Sequence, residues 1–229
     1  MKLPLICLPL ALLAQPSEQA SLPDPVSIRA VIDKSLSAAG KKGEFESSSE
    51  YEKRLVSAFG DQRDFRFIVE SPLVAYDADL ASWRVIVFSE RIVLTGAGVT
   101  GREGMKLARK EIAQKQYKAT NSYGVARDVT DTQEDRYGLI WDRSVFGANG
   151  VRLILPMDPA EAKEAKGHLK IVLDCTLLTP AIYNSVHYHE ATLDAPFKVW
   201  GNGYYLKANI TGADVLNDKS SALIRHFSD

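Results

Sequence analysis

Phe65-Arg66-Phe67-Ile68-Val69 and Trp83-Arg84-Val85-Ile86-Val87-Phe88 decide the fold class. Both are short runs rich in aromatic and β-branched residues, which pack well on a pleated, half-buried surface and read as strands. Working outward, Pro72 to Tyr76 reads as extended, Asp77-Ala78-Asp79 as a polar corner, and Ile92-Val93-Leu94 as a further strand. Tyr123 to Thr130 and Arg136 to Trp141 are predicted to form a hairpin around Asp131-Thr132-Gln133-Glu134, and Val151 to Leu155 and His168 to Leu178 read as strands. Phe197 to Trp200 is expected to pair with Tyr204 to Ile210 across Gly201-Asn202-Gly203, since Asn-Gly favours tight hairpin turns.

Helical signals lie mainly before the first strand. Ile28, Val31, Ile32, Leu36 and Ala39 fall on one face at helical spacing, with Gly40 as a stop. Ser47-Ser48-Ser49-Glu50 fits a capping box, and Tyr51, Leu55, Ala58 and Phe59 make the apolar stripe behind it. Asp158-Pro159 opens a short helix that Gly167 closes, and a further helix is expected over Arg102 to Ala113. Strands gathered in runs predict α+β: a mainly antiparallel β-sheet covered by two N-terminal amphipathic helices and one or two further short helices.

The N-terminus supplies an address. Met1-Lys2 is basic, Leu3 to Leu13 is almost wholly apolar, and Ala14-Gln15-Pro16-Ser17 turns small and polar, the order of a secretory signal peptide. The apolar run is about half of the roughly 20 residues a spanning helix needs, so no stable anchor is expected after cleavage. The reading assigns 1–14 to the signal peptide, with cleavage after Ala14 or as late as Ala20, and 15–26 to a flexible leader. Residues 27–229 form one domain, and a division into two lobes would fall near 100–120. The expected location is periplasmic or secreted.

Composition narrows the function. The net charge of −1 and the absence of a long single-sign run give no reason to expect nucleic acid as a partner. Only Cys175 remains beyond the signal, so no internal disulfide can form, and its apolar neighbours predict a buried thiol.

Two motifs carry chemistry. Gly96-Ala97-Gly98-Val99-Thr100-Gly101 is a literal G-x-G-x-x-G after a strand, the pattern that brings backbone up to a dinucleotide pyrophosphate. Several strands precede it and no βαβα alternation follows, so a glycine-rich turn is the favoured reading. His187-Tyr188-His189-Glu190 places two histidines on one face of a strand, where His187 and His189 would ligate one zinc ion with Glu190 nearby. Asp77 and Asp79 read as a solvated turn, because no further oxygen donor follows at calcium-loop spacing. Trp83, Trp141, Trp200, Tyr204 and Tyr205 are expected as core or cross-strand partners.

Phe45-Glu46-Ser47-Ser48-Ser49-Glu50-Tyr51-Glu52-Lys53-Arg54 resembles a helix that recurs after the signal peptide in a group of exported bacterial proteins of unknown function. Tyr76 to Asp79 and the Pro196 to Gly212 strand pair are similar to the same group. The resemblance implies an exported α+β protein and no reaction. The expected function is therefore non-enzymatic: a periplasmic or envelope binding or structural protein, without cofactor, acting on an envelope ligand or protein. The alternatives are a metal-dependent hydrolase built on His187 and His189, and a dinucleotide-binding oxidoreductase using Gly96, Gly98 and Gly101.

Overall fold

The computed structural model describes residues 23–94, 102–120, 123–141, 144–147 and 149–228. The expected signal peptide at 1–14 and the glycine motif at 96–101 lie outside the described residues. The last two residues of the expected leader, Pro25 and Val26, open strand β1 (Pro25–Ser27), which pairs parallel with β2 (Asp64–Val69).

Strand makes up 59% of the described residues and helix 16%, so the α+β expectation is corrected to a mostly-β fold. The large sheet has the order β1-β2-β9-β10-β7-β6-β5, with β5 at Glu90–Ile92, β6 at Arg102–Thr120, β7 at Ala126–Ile140, β9 at Leu169–His189 and β10 at Phe197–Asn217. A last strand, β11 (Leu223–Ser228), pairs with the C-terminal part of β10. The sheet is mixed, because β7 runs parallel to β10 over Thr130–Ile140 and β1 parallel to β2, while its other pairings are antiparallel. A second sheet contains β3 (Leu73–Asp77), β4 (Ser82–Phe88) and β8 (Gly150–Pro156), in the order β3-β4-β8.

Three expected breaks are continuous strand. Asp131–Glu134 lies inside β7 and Gly201–Gly203 inside β10, and the Arg102 to Ala113 helix is the first half of β6. Good helix formers fill Arg102 to Ala113, but pairing with β7 along nearly the whole of β6 overrides local propensity. In β10 the glycines serve contact, not turning. A Cβ on Gly201 would lie 1.8 Å from the Glu134 carbonyl oxygen.

The helices do not cover the sheet in the way expected. Helices α1 (Ile28–Ala39) and α2 (Ser48–Phe59) share the main core with the second sheet and with one face of the large one. α2 begins on the reciprocal cap: Ser47 Oγ accepts from Glu50 N–H while the Glu50 carboxylate accepts from Ser47 N–H. Asp158 Oδ1 likewise accepts from Ala160 and Glu161 N–H to open α3 (Pro159–Ala165).

Bulges in β10 between Leu206 and Gly212 bend the large sheet, which curls at two places. Glu70, just after β2, donates its N–H to the Leu107 carbonyl of β6 at 2.8 Å, and Leu94 bridges to Ser185 of β9. Each face consequently encloses its own core. Leu139 and Leu206 join the main cluster, whereas their neighbours Ile140 and Tyr205 join Ile92 and Leu94 in a smaller one. Adjacent residues of a strand point to opposite faces, so both faces of β7 and β10 are buried here. Farther along, the same strands leave the body: every residue of β6 from Arg109 to Lys118 is exposed.

Candidate functional site

The four-stranded extension of β6, β7, β10 and the end of β9 carries both the predicted histidines and an unpredicted aromatic face. His187 and His189 lie on one face of β9. His187 is opposite Gly201, and on the far side of Gly201 stands Glu134 of β7. With no side chain on the middle strand, imidazole and carboxylate meet across it, His187 Nε2 lying 4.0 Å from Glu134 Oε1. Arg136 Nε donates to the same oxygen at 2.8 Å, and Arg109 Nη1 lies 3.7 Å from Oε2.

The charges settle the protonation of this pair. Burial alone would push the Glu134 carboxyl up. The hydrogen bond and charge of Arg136, with Lys106 and Arg109, outweigh it and hold the group below its ordinary value. His187 has 13% of its side-chain surface exposed, and neither ring nitrogen has a hydrogen-bond partner among the described residues. Burial first, then the charge of Arg136, pushes its pKa down to about 4 against the opposing pull of Glu134. At neutral pH the site holds a neutral imidazole beside a paired carboxylate.

The other two candidates are engaged elsewhere, His189 on the same face and Glu190 on the opposite one. His189 is exposed and stacks on Phe197, with ring centroids 4.8 Å apart. Glu190 lies on the opposite face, where it accepts the Tyr188 hydroxyl. The structure thus brings His187 to Glu134, not to Glu190, with the Arg136 guanidinium bonded to the same carboxylate.

Among the described residues, the group of three metal-capable side chains lying within 4.8 Å of one another is Asp174, Asp214 and His226, which the sequence reading did not single out. Arg66 of β2 bonds both carboxylates, through Nε to Asp174 Oδ1 at 3.1 Å and through Nη2 to Asp214, and His226 Nδ1 lies 2.7 Å from Asp214 Oδ1. Burial, opposed by Arg66, raises the Asp174 pKa. These four side chains tie β2, β9, β10 and β11 together, with Arg66 as the cation shared by the two carboxylates. Gly212 makes the room: a Cβ there would crowd Asp174 Oδ2 at 3.1 Å and the His226 ring at 3.2 Å.

The other face of the extension differs in kind. Trp83, Trp141 and Tyr205 are buried as expected of core residues, whereas Trp200 is 38% exposed and Tyr188, directly across from it on β9, is 63% exposed. Side chains at such paired positions stand about 5 Å apart at Cβ. Trp200 is held at its edge, and Tyr188 carries a cation over its face. Trp200 Nε1 donates to Asp131 Oδ1 at 2.9 Å, and Lys198 Nζ sits 5.3 Å from the Tyr188 ring centre. Gln133 pairs with Trp200 in register, Asn202 Nδ2 reaches Asp135 Oδ1 at 3.5 Å, and Lys115 pairs with Asp131 at 3.5 Å. A cleft of about 200 Å³ between Trp200, Gln133, Asp131, Ala113, Gln114 and Lys115 completes the face.

This face was hidden by the reading of Gly201–Gly203 as a turn, which put Trp200 beside a hairpin end. Its legible signal was the alternation Lys198, Trp200, Asn202 opposite Asp131, Gln133, Asp135, which emerges once both segments are taken as uninterrupted strands. Comparison with protein-family models, curated proteins and solved structures finds no match.

Proposed function

We propose that the protein is a non-catalytic binding protein of the periplasm or cell envelope, and that the Tyr188–Trp200 face binds a saccharide chain. The observation that carries the reading is this cross-strand aromatic pair, exposed yet held in place by Asp131 and Glu190 and bordered by Gln133, Asp135 and Asn202. A sugar ring has an apolar C–H face and a rim of hydroxyls. It stacks on a fixed aromatic ring and exchanges hydrogen bonds with amides and carboxylates around it. Fixing Trp200 beforehand reduces the entropy lost on binding. Location in the envelope rests on the charged, apolar, polar order of residues 1–17.

The test is titration of the purified protein with N-acetylglucosamine hexamer, followed by tryptophan fluorescence, alongside retention on purified peptidoglycan. Saturable quenching and retention are expected, with both weakened at least tenfold by Trp200→Ala. Equal binding by wild type and Trp200→Ala, or no binding by either probe, overturns the reading.

A further inference from the structure

A groove independent of the saccharide reading lies beside the smaller sheet. β3 is its edge strand, and among the described residues it pairs with β4 alone. Beside it runs a groove of about 400 Å³, lined by Val74, Ala75 and Tyr76 of β3, by Trp83 of β4, and by Pro159, Ala162, Lys163 and Lys166 at α3. Successive side chains of a strand point to opposite faces, so a groove touched by three consecutive residues runs along the strand's main-chain edge. That edge presents N–H and C=O groups without a ladder partner.

The chemistry of the walls is specific. Val74, Tyr76, Trp83 and Ala162 make an apolar floor, and Lys163 of α3 and Lys166, just past its end, set two positive charges at its rim. Neither lysine is ion-paired among the described residues. Tyr76 donates its hydroxyl proton to the Met157 carbonyl at 3.0 Å, but the buried indole N–H of Trp83 has no acceptor among the described residues. An open strand edge facing a helix, with an orphan donor and two cations, matches a chain that brings a main chain, apolar side chains and carboxylates together.

We infer that this groove receives an extended peptide bearing Asp or Glu side chains, which adds as a strand to β3 and sets its carboxylates against Lys163 and Lys166. Strand addition supplies main-chain hydrogen bonds, and alternate side chains supply specificity. An amphiphilic acid would match the floor and the lysines but leave the strand edge unpaired.

The experiment pans a displayed library of random dodecapeptides, tethered through their C-termini, against the purified protein and its K163E/K166E variant. Enriched sequences are then synthesised as amides for fluorescence anisotropy. Both lysines are exposed, so the variant should melt with the wild type. The expected result is enrichment of alternating apolar residues with Asp or Glu, and affinity at least tenfold weaker in K163E/K166E. N-methylation on one set of alternate residues should abolish binding, while N-methylation on the other set leaves it. Trp83→Phe, which keeps a ring and removes the N–H, should weaken binding several-fold. Equal affinity for K163E/K166E, indifference to both N-methylation patterns, no enrichment over an unrelated protein, or binding of laurate without binding of any peptide each overturns the inference.

Discussion

Acidification from pH 6.5 to 4.5 should destabilise the protein through His187, and replacing that residue should remove this part of the loss. In an unfolded chain a histidine takes up its proton near its ordinary value of 6.5, whereas in the folded protein His187 waits until about 4. Between those values the unfolded state binds the extra proton, so stability falls as pH falls. A full pH unit is worth about 1.36 kcal/mol, and because the unfolded histidine is only half protonated at 6.5 and the folded one begins to titrate at 4.5, the two units together give about 2 kcal/mol. In a domain of this size that is a fall of about 4–8 °C in Tm. Glu134 contributes in the same direction but lower down. Its pKa is depressed below 4.5, so its contribution is lost only as pH falls through the folded value. Asp174 has the opposite sign. Its pKa is raised above 3.8, so acid relieves part of the cost of burying it. Both terms are common to wild type and His187→Gln, which isolates the histidine in the difference. Urea unfolding of the two proteins followed by circular dichroism at pH 7.5, 6.5, 5.5 and 4.5 should show the gap moving by about 2 kcal/mol in favour of the variant. A gap constant to within about 0.5 kcal/mol, or an NMR titration placing the His187 ring near 6.5, refutes the reasoning.

Two further substitutions test the contacts that shape the large sheet. Gly201→Ala should cost about 3 kcal/mol or more, because its methyl group would meet the Glu134 carbonyl at 1.8 Å and force β7 and β10 apart; Gly43→Ala, whose nearest neighbour is the Glu46 Cβ at 3.4 Å, is the control, and equal melting temperatures for the two variants would count against the close approach. Arg66→Met should cost about 3–5 kcal/mol at pH 7 by leaving Asp174 and Asp214 buried without their cation. The loss should shrink as acid protonates the two carboxylates, and a loss independent of pH would show that Arg66 acts through packing alone.

What was legible in the sequence was local. Ser47 and Glu50 are three residues apart, and Asp158 precedes Pro159, so their caps need nothing beyond a helix to form. What was not legible was set by pairing over long distances. Arg102 to Ala113 is made mostly of good helix formers, yet its partners lie on β7 some twenty to forty residues onward, and a ladder along nearly the whole strand outweighs a propensity difference of a few tenths of a kcal/mol per residue. The two candidate sites divide on the same line. His187 and His189 were found because two residues apart on a strand is a sequence-level fact, but the partner of His187 is Glu134, reached across a glycine on a third strand, and nothing within 187–190 points to it. Trp200 and Tyr188 were both visible as aromatics, and what was missing was register. Gly201 is read as a turn when its freedom in φ is considered alone. It becomes a window when its neighbours are known, because a strand two places away can then send a side chain across it. A Gly-x-Gly inside an alternating run such as Lys198-Val199-Trp200-Gly201-Asn202-Gly203-Tyr204 therefore has two structural meanings. The exposed, patterned side chains on either side distinguish them: a hairpin would bring Trp200 and Tyr204 together across the turn, whereas a continuous strand lines Lys198, Trp200, Asn202 and Tyr204 along one face, which is the arrangement this protein adopts.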